Sequence, residues 1–116
     1  MQAQSNNCLN NILREITLGT RLLYEDKLKK IILYGSYARG NNNEDSDIDL
    51  MILIDEDEEK LKQYEKQLDY LISEIGYKYI KVLSLVDISH KRYNEWVDIV
   101  PYYKNVKNEG VVIYEQ

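Results

Sequence analysis

A chain of 116 residues, 44% hydrophobic and 30% charged, is long enough for one compact core and too short for two. Its net charge of -5 has the wrong sign for general binding to nucleic acid or to an anionic membrane surface, and no local basic patch offsets it. The longest apolar runs fall far short of the roughly 20 residues that span a bilayer, the first seven residues lack the basic start and apolar run of a secretory signal, and Cys8 has no partner for an intramolecular disulfide, so a reducing cytoplasm is the expected location.

Leu9, Ile12, Leu13, Ile16, Thr20 and Leu23 recur at three- and four-residue steps, which predicts an amphipathic helix over about 6–28, loosened at Gly19. Ile31 to Tyr34 is a short apolar run ending at Gly35, the pattern of a strand buried on both faces. A turn-rich stretch, Gly40 to Ser46, leads to a second strand over 47–54, where Asp47 and Asp49 give way to Leu50-Met51-Ile52-Leu53-Ile54. Asp55 or Asp57 can cap the helix that follows, with Leu61, Tyr64, Leu68, Leu71, Ile72 and Ile75 as its buried stripe and Gly76 as its end. Tyr77 to Val86 reads as a third strand, rich in β-formers. Ser89 can cap a short helix carrying Tyr93, Trp96 and Val97, which Pro101 interrupts, and Val111 to Tyr114 reads as a last strand. One α/β or α+β domain accounts for this alternation.

The chemistry concentrates in Gly35-Ser36-Tyr37-Ala38-Arg39-Gly40 and, after a polar loop, Ser46-Asp47-Ile48-Asp49-Leu50. Glycine at a strand end lets the chain turn sharply and a ligand approach closely, and Ser36 offers a hydroxyl beside backbone amides, which is how a phosphate seat is built. Asp47 and Asp49, two apart on a strand, leave the same face roughly 6.6 Å apart at the backbone. Carboxylates so placed suit Mg²⁺, which shares its shell with water and substrate phosphates. A calcium loop is the nearest rival, since Asp45, Asp47, Asp49 and Glu56 match positions of an EF-hand, but its sixth position requires glycine and this chain has Leu50.

The two segments together resemble the signature of the minimal nucleotidyltransferases, small members of the DNA polymerase beta superfamily: a Gly-Ser turn with Ala-Arg-Gly, then Ser-Asp-x-Asp-Leu. The match runs through Gly35, Ser36, Ala38, Arg39, Gly40, Ser46, Asp47, Asp49 and Leu50. The resemblance implies a polymerase-beta-like fold over residues 1–116 as one domain, a mixed β-sheet packed by helices. It also implies transfer of a nucleoside monophosphate from a nucleoside triphosphate, usually ATP, to an acceptor hydroxyl. Gly35 and Ser36 would hold the terminal phosphates, and Asp47 and Asp49 would bind Mg²⁺. Arg39 either offsets phosphate charge or pairs with a carboxylate and braces the turn.

In such enzymes a third carboxylate on a later strand usually binds metal and helps deprotonate the acceptor. Here Ser84 stands at that position and Asp87 three residues on, so a regular strand turns Asp87 away unless a bulge re-aims it. Asp87, Ser84 or neither fills the role. Resemblance further implies a helical HEPN-domain toxin as partner, with this protein as an antitoxin that adenylylates a toxin tyrosine. Two alternatives stay open: a binding module with little or no turnover, and one half of a split small-molecule nucleotidyltransferase. Acceptor, base preference and self-association are not fixed by the sequence. His90, the sole histidine, reads as a surface residue, and Tyr93 and Trp96 as core.

Overall fold

The apolar runs assemble into a four-stranded mixed sheet with helices on both faces in a computed structural model that describes residues 2–116, with side chains from Cys8 onward. Strand β1 (Leu28–Tyr34) lies between β2 (Ile48–Ile54) and β4 (Val111–Glu115), antiparallel to both, while β3 (Leu83–Ser89) runs parallel to β2. The order is β3-β2-β1-β4, which leaves β3 and β4 at the edges.

Alternation along the strands divides the core into two layers. Ile31 and Leu33 of β1, with Leu50, Ile52 and Ile54 of β2, face the long helices α1 (Gln2–Tyr24) and α4 (Glu65–Tyr79), where Ile12, Ile16, Leu68 and Ile75 meet them. Ile32, Met51, Leu53 and Ile88 face the other way, toward α5 (His90–Trp96) and α6 (Pro101–Glu109), against Tyr93, Val97 and Val106. Where the central strands are clothed on both faces they are apolar, which is why Ile31–Tyr34 of β1 and Leu50–Ile54 of β2 stand out in the sequence as uninterrupted runs. Helix α1 carries the expected stripe, and its buried Thr20 satisfies its hydroxyl by donating to the Ile16 carbonyl at 2.7 Å.

Several expectations shift. The first helix ends at Tyr24, and a 3₁₀ turn over Glu25–Lys27 leads straight into β1. Gly19 does not loosen the helix; it brings α1 against α4, where an added Cβ would come within 2.5 Å of Leu71 Cδ1. The helix after β2 is divided into α3 (Glu58–Leu61), a 3₁₀ turn (Lys62–Tyr64) and α4. Asp57 takes the N-cap position of α3 without a side-chain cap bond.

The third strand is displaced. Residues 77–79 continue α4, and β3 starts only at Leu83. Gly76 sits inside the helix because the Lys81 carbonyl folds back over it, 2.9 Å from where a Cβ would stand, and Lys81 N–H donates to the Gly76 carbonyl at 3.0 Å. The reversal is made at Ile80, in the left-handed region at φ 53°. Ser89 caps α5 as its sequence position suggests, accepting from Arg92 N–H at 3.3 Å. Pro101 opens α6 at its first turn, where its missing N–H costs nothing.

Candidate active site

Gly35 follows directly on β1 and caps the four-residue helix α2 (Ser36–Arg39). Its backbone, φ 75° and ψ −156°, lies in a region essentially reserved for glycine, and a Cβ there would run into the Asp49 carboxylate. The Gly-Ser turn and the second aspartate are thus packed against each other across the β1–β2 pair. Arg39 N–H donates to the Gly35 carbonyl at 3.1 Å and closes the turn, and Gly40, at φ 80°, releases the chain into the loop.

The loop explains the serine before the first aspartate. Asn43 N–H donates to Ser46 Oγ at 2.9 Å, Asp45 N–H to Asn43 Oδ1 at 2.8 Å, and Ser46 N–H to the Asn43 carbonyl at 3.2 Å. This bracing delivers Asp47, exposed, to the start of β2, and Asp49, half-buried, one step inside it. Partial burial, and then the Asp47 charge, push the Asp49 carboxyl above its ordinary range, while the Arg39 guanidinium pulls the other way. Two neighbouring carboxylates, the second of them held above its ordinary range, are a fitting seat for a divalent cation. Asp47 and Asp49 could hold Mg²⁺ with water and substrate oxygens completing its shell; among the described residues no group of three His, Cys, Asp or Glu side chains is placed to hold a metal by itself.

Register decides what else shares this face. Asp49 stands opposite Tyr34 on β1 and beside Ser84 on β3, so all three side chains leave the sheet toward α6. Ser84 therefore occupies the third position beside the aspartates. Asp87 does not: it pairs with Ile52, whose side chain belongs to the α1/α4 layer; Tyr24 on that side feels its charge, and Glu58 acts on it in turn. No bulge interrupts the β2–β3 ladder, so the alternation is not broken, nothing re-aims Asp87, and it stays on the face away from Asp47 and Asp49.

Arg39 lies close enough to act on Asp49 and pairs with Glu109 of α6 at 3.3 Å. Both ends of that pair are nearly half exposed, which makes it worth little for stability. Tyr34 was not singled out by the sequence. Its hydroxyl lies 2.7 Å from that of Tyr102, and its ionisation is pushed up by burial first and by this hydrogen bond second. Strand alternation opposite Asp49 is the signal that would have found Tyr34; Tyr102, from a distant helix, had none. His90 bonds Asn94 at 3.3 Å and has Lys30, Asp55 and Glu115 as charged neighbours, which puts it at the other end of the sheet. Tyr93 is core, but Trp96 is largely exposed.

Comparisons with known proteins bear on the family and the fold. The sequence model of the nucleotidyltransferase domain matches residues 16–113. A Methanocaldococcus jannaschii protein named as a protein adenylyltransferase is 33% identical over 105 residues, covering 88% of this chain and 94% of its own. Among solved structures, a toxin–antitoxin crystallised with AMP-PNP superposes with a TM-score of 0.54 at 20% identity, over 95% of this chain and 73% of that one. A Sulfolobus solfataricus protein described as a nucleotidyltransferase superposes at 0.52 with 13% identity, over 95% of this chain and 86% of that one. Both share the fold. With a family match across most of its length and a curated relative at one-third identity, this chain belongs to the nucleotidyltransferase domain family of enzymes.

Proposed function

We propose that this protein transfers AMP from ATP to a hydroxyl of a partner protein, a tyrosine of a HEPN-type toxin, and acts as its antitoxin. The observation that carries the transfer chemistry is the contact between Gly35 and the Asp49 carboxylate, which joins the phosphate-turn element to the paired aspartates. In this reading Gly35 and Ser36 hold the terminal phosphates and Arg39 offsets their charge. Asp47 and Asp49 hold Mg²⁺, which when bound would supply charge neutralisation at the attacking and leaving oxygens. The acceptor oxygen forms a bond to the α-phosphorus, the bond to pyrophosphate breaks, and the acceptor's proton passes to solvent or to a base on the partner. The protein acceptor is supported by the adenylyltransferase relative. The toxin partner is supported by the sequence resemblance and by the toxin–antitoxin fold neighbour.

Calorimetry with a non-hydrolysable ATP analogue, with Mg²⁺ or chelator, tests the site. Binding should require metal and disappear in Asp47→Asn/Asp49→Asn, and label from α-labelled ATP should reach the toxin only with the unsubstituted protein. Transfer retained by that variant would sink the proposal.

One observation favours a second reading. Ser84 stands where a third carboxylate would act, and loss of a general base typically costs about 10²–10⁴ in rate. A protein that neutralises its toxin by binding alone would keep doing so after both aspartates are replaced, whereas the enzyme would not.

A further inference from the structure

On the face opposite the aspartates, α3, α4 and β3 enclose a groove of about 310 Å³. Leu68, Ile72 and Leu85 make it partly apolar, while Glu58, Glu65, Asp69 and Asp87 bring four carboxylates to its walls against the single ammonium of Lys62. Arg92 approaches Glu58 only to 3.8 Å, between exposed side chains. Behind Asp87 lies Tyr24, 2% exposed, whose hydroxyl has no hydrogen-bond partner among the described residues although it is near enough to Asp87 for each to shift the other's ionisation. A buried phenol beside the acidic groove, without a hydrogen bond, is a polar group that native interiors rarely leave unpaired.

The groove runs along an open sheet edge. Ile48 N–H donates to the Val82 carbonyl at 3.0 Å, a register that turns the backbone groups of Val82, Ser84 and Val86 toward β2 and those of Leu83, Leu85 and Asp87 outward. The next outward amide, Ser89 N–H, is taken by Glu58 Oε1 at 3.2 Å, but among the described residues no strand pairs with this edge. Nor does the edge carry the lysine or proline that usually guards one.

We propose that the β3 edge and its acidic groove receive an extended, arginine-bearing segment of a partner protein, added as a fifth strand. The backbone of such a segment bonds the outward groups of Leu83, Leu85 and Asp87. Alternate side chains then enter the groove, where a guanidinium meets the carboxylates in the two-pronged geometry it favours. The net charge of -5 steers a basic partner toward the surface and repels RNA. This site is independent of the transfer chemistry, since it lies across the sheet from Asp47 and Asp49.

The test is a titration of the whole chain with a capped five-residue peptide alternating arginine and valine, followed by amide chemical shifts at physiological salt. Saturable shifts at residues 83–87, and affinity reduced at least tenfold by Glu65→Gln/Asp69→Asn/Asp87→Asn, are expected. A control variant, Glu44→Gln/Glu74→Gln/Glu95→Gln, removes the same charge elsewhere and should keep affinity within twofold. Equal loss in the two variants, or shifts confined to other acidic surfaces, would overturn the proposal. So would undiminished binding of a peptide with proline at its centre, which cannot complete the strand ladder.

Discussion

Two glycines flank α2 in positive-φ conformations, and they should respond to alanine very differently. At Gly40, φ 80° and ψ 13°, no atom lies within 4 Å of an added Cβ. The cost there is the left-handed backbone alone, about 1–2 kcal/mol, partly offset by about 0.4–1 kcal/mol from a less flexible unfolded chain. At Gly35 the ψ of −156° takes the residue out of the left-handed well into a region alanine does not share, at about 1–3 kcal/mol, and the Cβ must also displace the Asp49 carboxylate. Forcing a half-buried side chain off its rotamer adds about 0.5–1.5 kcal/mol. Gly35→Ala should therefore cost about 2–4 kcal/mol and Gly40→Ala about 1 kcal/mol or less. For a chain of this size each kcal/mol moves Tm by about 4 °C, so circular dichroism melts should fall by about 10 °C for the first and by no more than about 4 °C for the second. Calorimetry at a temperature where both variants are folded should find metal-dependent nucleotide binding weakened far more in Gly35→Ala. Equal melts and equal binding for the two variants would refute the claim that Gly35 is kept by contact with Asp49.

Ser84→Asp places a carboxylate beside Asp49 on the same face, and should tighten Mn²⁺ binding and raise the transfer rate by about 10–100-fold, read by calorimetry and label transfer. Asp87→Asn should leave transfer unchanged, because Asp87 points into the other layer. It should also raise Tm at neutral pH: burial, with the Glu58 charge adding to it, holds the Asp87 carboxyl above its ordinary range, so ionisation opposes folding. That penalty is absent below the ordinary carboxylate value and grows as pH rises through the raised one; melts of variant and parent should converge by about pH 3. Tyr24→Phe removes a buried hydroxyl without a partner and should be neutral or stabilising, whereas a loss above about 1 kcal/mol in urea melts would mean that the hydroxyl bonds Asp87 in solution.

What the sequence revealed of the fold follows from how locally each feature is encoded. The apolar runs of β1 and β2 are buried on both faces and need no knowledge of their neighbours to be recognised. The stripe of α1 and the Ser89 cap are equally local. The segment 77–82 misled because its β-forming residues do not build a strand: the chain is still helical to Tyr79, and only the Lys81 carbonyl closing over Gly76, with Ile80 left-handed, turns it around. A glycine that commonly ends helices here serves close packing one turn earlier, and no periodicity distinguishes the two uses. The split between α3 and α4 was hidden in the same way, since one stripe of apolar residues serves both pieces.

The site divides along the same line. Asp47 and Asp49 could be placed on one face because they lie two residues apart on one strand, and Gly35 with Ser36 because a glycine ends the preceding one. Tyr34 and Tyr102 required the β1–β2 register and the return of α6, both long-range. The third position shows where local reasoning succeeds against expectation: two-residue alternation alone already sent Ser84 and Asp87 to opposite faces, and only an assumed bulge could have reunited Asp87 with the aspartates. The unbroken parallel ladder removes that assumption, pairing Ser84 with Asp49 and Asp87 with Ile52. With Asp47 and Asp49 committed to Mg²⁺ in the proposed reaction and Ser84 beside Asp49, the acceptor's proton passes to solvent or to a base on the partner. A partner that brings both the acceptor hydroxyl and a base would complete the reaction only when docked, which would make transfer contingent on recognition.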